Sequence, residues 1–135
     1  MKTFTLIVQD ATHAERLDEV LSFIGEDDSG SFGLLADHAR FITCLVIGLA
    51  RTRLASDGQW RYLALPGGVV YFCDNVLTIS TRRFLLGEDY NEISTALQGQ
   101  LLAEEEQLRA VKASLHRMEE AMLQRLWELN RQRAL

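Results

Sequence analysis

The run Gly30-Ser31-Phe32-Gly33-Leu34-Leu35-Ala36-Asp37-His38-Ala39 decides how this chain is read. Two glycines stand three apart with an aromatic between them, followed by an apolar pair and a histidine. Glycine reaches positive φ at little steric cost. The run therefore suits a backbone that turns sharply, buries a short strand and turns again.

Strand signals lie on both sides. Residues 3–8 form one candidate strand and residues 41–47 another, the latter apolar enough to be buried. Residues 16–24 carry Leu17, Val20, Leu21, Phe23 and Ile24, too dense for clean alternation. Gly25-Glu26-Asp27-Asp28-Ser29-Gly30 reads as a solvated acidic turn, because it lacks EF-hand spacing. In residues 48–54, Leu49, Arg51 and Arg53 alternate with Ala50, Thr52 and Leu54. Asp57-Gly58 is a hairpin signal, and residues 59–65 return with Trp60, Tyr62 and Ala64 on one side. Pro66-Gly67-Gly68 breaks the chain, and residues 69–73 and 76–80 flank a two-residue turn at Asp74-Asn75. Many short strands with closely spaced turns predict a sandwich or barrel.

Composition changes near Gly87. Up to that point lie eight of the nine glycines and the only proline; beyond it come Leu, Ala, Glu, Gln and Arg. Asp89 with Glu92 three residues on is a capping-box-like helix start. Leu101, Leu108, Leu115, Met122 and Leu129 recur every seven residues. Leu97, Val111 and Met118 take the complementary position, which Glu104 and Arg125 interrupt. This is a heptad seam with charged edges, and a helix carrying it needs a covering surface. Gly99 is the one weak break. The segment is thus one long helix or a hairpin hinged between Gly99 and Glu106; the heptad running past Gly99 favours the long form. The expected fold is α+β: an all-β sandwich or barrel over residues 1–86, followed by a helical domain over residues 87–135.

A net charge of −5 over 135 residues gives no whole-chain basic footprint, so nucleic acid is not the expected partner. No apolar run approaches the roughly 20 residues of a membrane span. Leu6-Ile7-Val8 is too short for a secretory leader, so the chain is expected in the cytoplasm, meeting a membrane only through partners. Cys44 and Cys73 are expected as small buried thiols. His13, His38 and His116 show no metal spacing, and no nucleophile elbow, P-loop or dinucleotide fingerprint occurs. Neither catalysis nor a cofactor or metal is expected.

Three segments resemble the epsilon subunit of rotary F-type ATP synthases. Residues 30–39 are similar to its Gly-x-Phe-Gly-Ile-Leu-Pro followed by Gly-His-Ala-Pro. Trp60-Arg61-Tyr62-Leu63-Ala64-Leu65-Pro66-Gly67-Gly68 is similar to its Tyr-Leu-Ala-Val-Ser-Gly-Gly. Asn75-Val76-Leu77-Thr78-Ile79-Ser80-Thr81 is similar to a following strand. The resemblance implies a β-sandwich with C-terminal helices, acting as a non-catalytic central-stalk (rotor) subunit. Such a subunit couples the gamma subunit to the c-ring at the cytoplasmic face of the inner membrane and regulates ATP hydrolysis.

Carried over residue by residue, the resemblance puts a c-ring contact on Gly30, Ser31, Phe32, Gly33 and His38. It puts the gamma-binding face on strands around the second glycine pair and part of the helical segment. Arg109, Lys112, Arg117, Arg125, Arg131 and Arg133 are the candidates to meet the alpha and beta subunits when the helices extend. The pattern departs in three places. Ala36 and Arg40 stand where prolines flank the histidine, which implies a looser loop. The family's Asp-x-x-Arg-Ala motif for ATP falls on Asp89 with Ile93 or Ser94 in place of arginine, so no tight ATP binding is expected. The turn of a helix hairpin is missing. These departures suggest the divergent N-type bacterial ATPase, with proton or sodium as coupling ion. The competing reading is a β-domain whose coiled-coil helix makes a homo-oligomer.

Overall fold

The computed structural model describes residues 2–133. Nine strands come first: β1 (Phe4–Gln9), β2 (Ala14–Asp27), β3 (Gly30–Leu35), β4 (Phe41–Leu45), β5 (Gly48–Leu54), β6 (Trp60–Leu65), β7 (Gly68–Cys73), β8 (Val76–Ser80) and β9 (Leu85–Gly87). They are followed by helix α1 (Tyr90–Ala96), a π-helical turn (Leu97–Leu101) and helix α2 (Leu102–Arg133). The strands pair in the order β1-β8-β7-β4-β2-β5-β6-β9, with β3 on β2 and β1 closing back onto β2. Only β1–β8 is parallel. The sheet thus folds over itself into a sandwich, with β1-β8-β7-β4 as one layer and β2-β5-β6-β9 as the other.

β2 belongs to both layers because it bends. Phe4 pairs with Val20 but Leu6 with Leu17, so β2 carries an extra residue there, and Glu19 takes φ 56°. Val20 pairs with Leu54 but Ser22 with Arg53, a second irregularity at Leu21. Each bulge flips the strand's alternation and increases its bend. The inward residues Leu17, Val20 and Phe23 are therefore three apart, which accounts for an apolar pattern too dense for a regular strand. The core between the layers holds Phe4, Leu6, Val8, Val20, Phe23, Leu34, Leu63, Val70, Phe72, Leu77 and Ile79, all nearly inaccessible to solvent.

The acidic segment is shorter as a turn than expected. β2 continues through Asp27, and only Asp28 and Ser29 make the turn. Gly25 is buried mid-strand; a Cβ there would stand 2.9 Å from the Phe23 ring and 3.0 Å from Leu45. Gly30 takes φ 120°, whereas Gly33 lies in β3 at an ordinary φ. The thiols also depart from expectation. Cys44 is exposed and Cys73 half-buried, both free, because strand alternation turns Cys44 outward beside Ile42.

The strands end at Gly87, next to the boundary that composition suggests, but the compact unit runs on to Leu102. Asp89 caps α1, its carboxylate accepting from the backbone N–H of Asn91 and Glu92. Ile93 and Leu101 are buried against Ala64, with Leu49, Tyr62, Leu85 and Leu97 packed around them. Burying side chains of this size contributes about 1.5–3 kcal/mol each. A spacing of four overshoots an α-helical turn by about 40° each time. The π-helical turn, closed by the Leu102 N–H bonding to the Leu97 carbonyl, accommodates one more residue and takes that drift back. Ile93, Leu97 and Leu101 thereby share a face. The helix is continuous from Tyr90 to Arg133 and no hairpin forms. α2, with Ala103–Leu135 forming a separate compact unit, has no buried residue.

Two glycines should respond oppositely to alanine. At Gly68 a Cβ would meet the Ser80 carbonyl oxygen at 2.7 Å, so Gly68→Ala should lower stability by about 1–3 kcal/mol in denaturant titration. At Gly99 nothing lies within 4 Å, so Gly99→Ala should raise stability by about 1 kcal/mol, seen as a higher helical circular-dichroism midpoint.

Candidate functional site

No group of three or more His, Cys, Asp or Glu among the described residues is placed to hold a metal ion. The features that can meet a partner are faces and corners. The two outer faces of the sandwich differ. On the β5–β6 side, α1 and the π-helical turn cover Ala64, Leu49 and Tyr62. Beyond that cover, Arg51 lies over the Trp60 ring at 4.7 Å and Tyr62 meets Tyr90 edge-on. On the β1-β8-β7-β4 side no element of the same unit covers the sheet among the described residues. Register places Ile7 beside Thr78, Thr78 beside Tyr71 and Tyr71 beside Ile42, one row across four strands. The adjacent row runs Gln9, Ser80, Val69 and Cys44. Ile42 is 67% exposed, Val69 43% and Tyr71 39%. Three of the four members of the first row are apolar or aromatic, and a row of this kind on an open sheet face is suited to contact with a partner.

One end of this face is a corner built from three loops. Asp37, at φ 66°, receives the Asn75 side-chain amide at 2.9 Å, and its own backbone N–H donates to the Asn75 Oδ1 at 2.6 Å. Lys2 pairs with the other carboxylate oxygen at 2.8 Å. Asn75 and its neighbour Asp74, at φ 60° and 50°, form the tight β7–β8 turn. The Asn75 amide, and then Lys2, hold the Asp37 carboxyl below its ordinary value. His38 is exposed; its backbone N–H donates to the Leu35 carbonyl and its Nδ1 meets the Ala39 carbonyl at 2.7 Å. Its ring sits edge-on to Phe41 and Phe72. The loop that lacks flanking prolines is thus pinned by polar cross-links. A shallow groove of about 410 Å³ runs between residues 37–40 and 73–75.

The expected c-ring residues do not form one patch. Gly30 and Leu35 are opposite ends of β3, about 16 Å apart, and His38 lies beyond Leu35. Ser31 and Gly33 face outward, while Phe32 turns inward and packs on Phe23 and Phe41. The hairpin tip is held by Asp27, which accepts from Ser29 and from the Thr43 hydroxyl at 2.8 Å. The Ser29 hydroxyl, then Thr43, lowers the Asp27 pKa. The six cations of α2 are all exposed but not gathered. By the heptad Arg109, Arg117 and Arg131 fall away from the seam, Arg125 occupies a seam position, and Lys112 and Arg133 flank it. Arg131 lies over the Trp127 ring at 5.5 Å. Sequence reasoning missed the exposed row on β1-β8-β7-β4; the alternation in residues 69–73 and 41–45 was the available signal.

Comparison with known proteins follows the same lines. The family model described as ATP synthase, Delta/Epsilon chain, beta-sandwich domain matches residues 3–87. ATP synthase epsilon chain 2 of Cereibacter sphaeroides is 31% identical over 98 residues, covering 72% of this chain and 66% of that relative. The chloroplastic epsilon chain of Huperzia lucidula is 41% identical over 61 residues, covering 45% of this chain and 43% of that relative. The matched stretch therefore spans between about two fifths and two thirds of these relatives. Among solved structures, the Euglena gracilis mitochondrial ATP synthase OSCP/F1/c-ring assembly contains a chain aligning with a TM-score of 0.54 at 20% identity, over 69% of this chain and 60% of that one. The Tetrahymena thermophila mitochondrial ATP synthase central stalk/c-ring gives 0.54 at 14%, over 62% and 66%. At such identities these two alignments speak for the fold alone.

The Asp37 corner predicts a pH response. A carboxyl whose folded pKa lies below its unfolded value of about 3.9 adds stability above that value and loses it as pH falls through the folded one. Acid titration of unfolding should show stability declining below about pH 4, and Asp37→Asn should flatten the decline. Equal steepness in the variant would show that the corner adds nothing.

Proposed function

We propose a function from one premise: this chain belongs to the ATP synthase delta/epsilon family, whose β-sandwich domain it matches over residues 3–87. As an epsilon subunit it is a non-catalytic part of the central stalk, joining the gamma subunit to the c-ring. The observation that carries this reading is the uncovered apolar row Ile7-Thr78-Tyr71-Ile42. An exposed row that no element of the sandwich covers is suited to a coiled or helical shaft, with Tyr71 as the aromatic anchor. We assign gamma docking to this face. The hairpin tip with Gly30, Ser31 and Gly33 is assigned to the polar loops of the c-ring; Phe32 supports it from within. The exposed His38 corner is a second contact on the rotor.

No helix of the described residues is long and apolar enough to cross a membrane. Attachment at the cytoplasmic face of the membrane accordingly runs through the complex. Coupling to proton or sodium flow belongs to that complex. The cations of α2, from Arg109 to Arg133, are assigned to acidic segments of the alpha and beta subunits when the helix inserts beside gamma, where it restrains hydrolysis.

Two experiments test these assignments. In pull-downs with gamma, Ile42→Glu and Tyr71→Glu in the full chain should each lower capture more than tenfold. Removal of residues 103–135, which leaves Ile93 and Leu101 in place, should preserve capture and abolish any inhibition of hydrolysis. Undiminished capture by both glutamate variants would sink the gamma face. The second concerns nucleotide. Asp89 is engaged as a helix cap, the residue three places beyond it is the acidic Glu92 rather than an arginine, and Ile93 is buried. Titration calorimetry should find no ATP binding in the micromolar range.

A further inference from the structure

The apolar stripe of α2 remains to be accounted for. Leu108, Val111, Leu115, Met118, Met122 and Leu129 are between 37% and 63% exposed, and none is buried within the helix's own unit. The stripe keeps its heptad spacing over about three heptads, the length at which such a seam begins to specify a coiled coil. What sets its partner is the charge pattern along it. The seam is interrupted twice, by Glu104 near the start and by Arg125 near the end. The first turn of α2 is acidic, with Glu104 and Glu105, and the last is basic, with Arg131 and Arg133.

We propose that α2 pairs antiparallel with α2 of a second copy of this chain. Parallel pairing would put Glu104 against Glu104 and Arg125 against Arg125 inside the seam, each a like-charge contact. Antiparallel pairing brings Glu104 of one protomer to the Arg125 end of its partner. It also sets Lys112 beside Glu119, the acidic first turn beside the basic last turn, and the helix dipoles in opposition. Leu115 and Met118 meet across the two-fold axis, so the most regular part of the seam lies at its centre. The contact is isologous and closes at two chains. It uses the helix alone and leaves the β1-β8-β7-β4 face free, so it stands or falls separately from the gamma-docking assignment, while a paired α2 is withheld from the alpha and beta subunits.

The test is sedimentation equilibrium of the full chain from nanomolar to hundreds of micromolar. A reversible equilibrium between one and two chains is expected. Glu104→Arg alone and Arg125→Glu alone should each weaken it at least tenfold, and the double exchange should restore it. Leu115→Asp, at an exposed position that leaves the sandwich untouched, should abolish it with unchanged near-ultraviolet dichroism. A chain that stays monomeric throughout overturns the proposal. So does a dimer indifferent to the single charge reversals, or one that Leu115→Asp leaves intact.

Discussion

The whole sandwich depends on one strand being allowed to bend. β2 is fourteen residues long and pairs with β1, β3, β5 and, at a single position, β4. A flat strand of that length would present one face to one layer. The bulges at Glu19 and Leu21 instead let Leu17, Val20 and Phe23 point inward in succession, so the two layers share a core and β1 closes back onto β2. The absent side chain at Gly25 then makes room where Phe23, Phe32 and Leu45 converge. Closure hides edges that would otherwise invite pairing with other chains.

From this construction follows the asymmetry that matters for function. A two-layer sandwich has two outer faces, and this one spends its short first helix on the β5–β6 side. Ile93 and Leu101 seal Ala64, with the widened turn keeping them in line. Among the described residues, no element of the same unit lies over Tyr71 and Ile42. The chain thus finishes one surface with its own residues, and the other is the face proposed above for gamma docking.

The sequence disclosed much of this architecture. Six strands both began and ended within a residue or two of their signals, because Pro66-Gly67-Gly68, Asp57-Gly58 and Asp74-Asn75 interrupt the backbone unmistakably. The α+β division and the continuous helix also followed, from composition and from a heptad that passes Gly99. Legibility failed where a residue's direction depends on register. Cys44 lies in an apolar run, and only pairing with Val69 shows that it faces out. Phe32 sits between exposed neighbours in the signature loop, yet the pleat turns it into the core. The burial of α1 was hidden as well, since β6 alternates like a strand with one wet side while both of its faces are covered near Ala64. The site was legible as a family pattern; its row across four strands was not, because its members are scattered from Ile7 to Thr78.

The corner at Asp37 has a consequence for how this chain can change. Where a ring within a loop confers stiffness, that stiffness is a local property and is inherited with the loop. Here it is supplied from elsewhere: by Asn75, thirty-eight positions downstream, and by Lys2 near the amino terminus. Drift at either distant position retunes a segment whose own letters stay the same. The firmness of the histidine loop is therefore a trait of the assembled domain, and an identical decapeptide transplanted into another scaffold would not carry it.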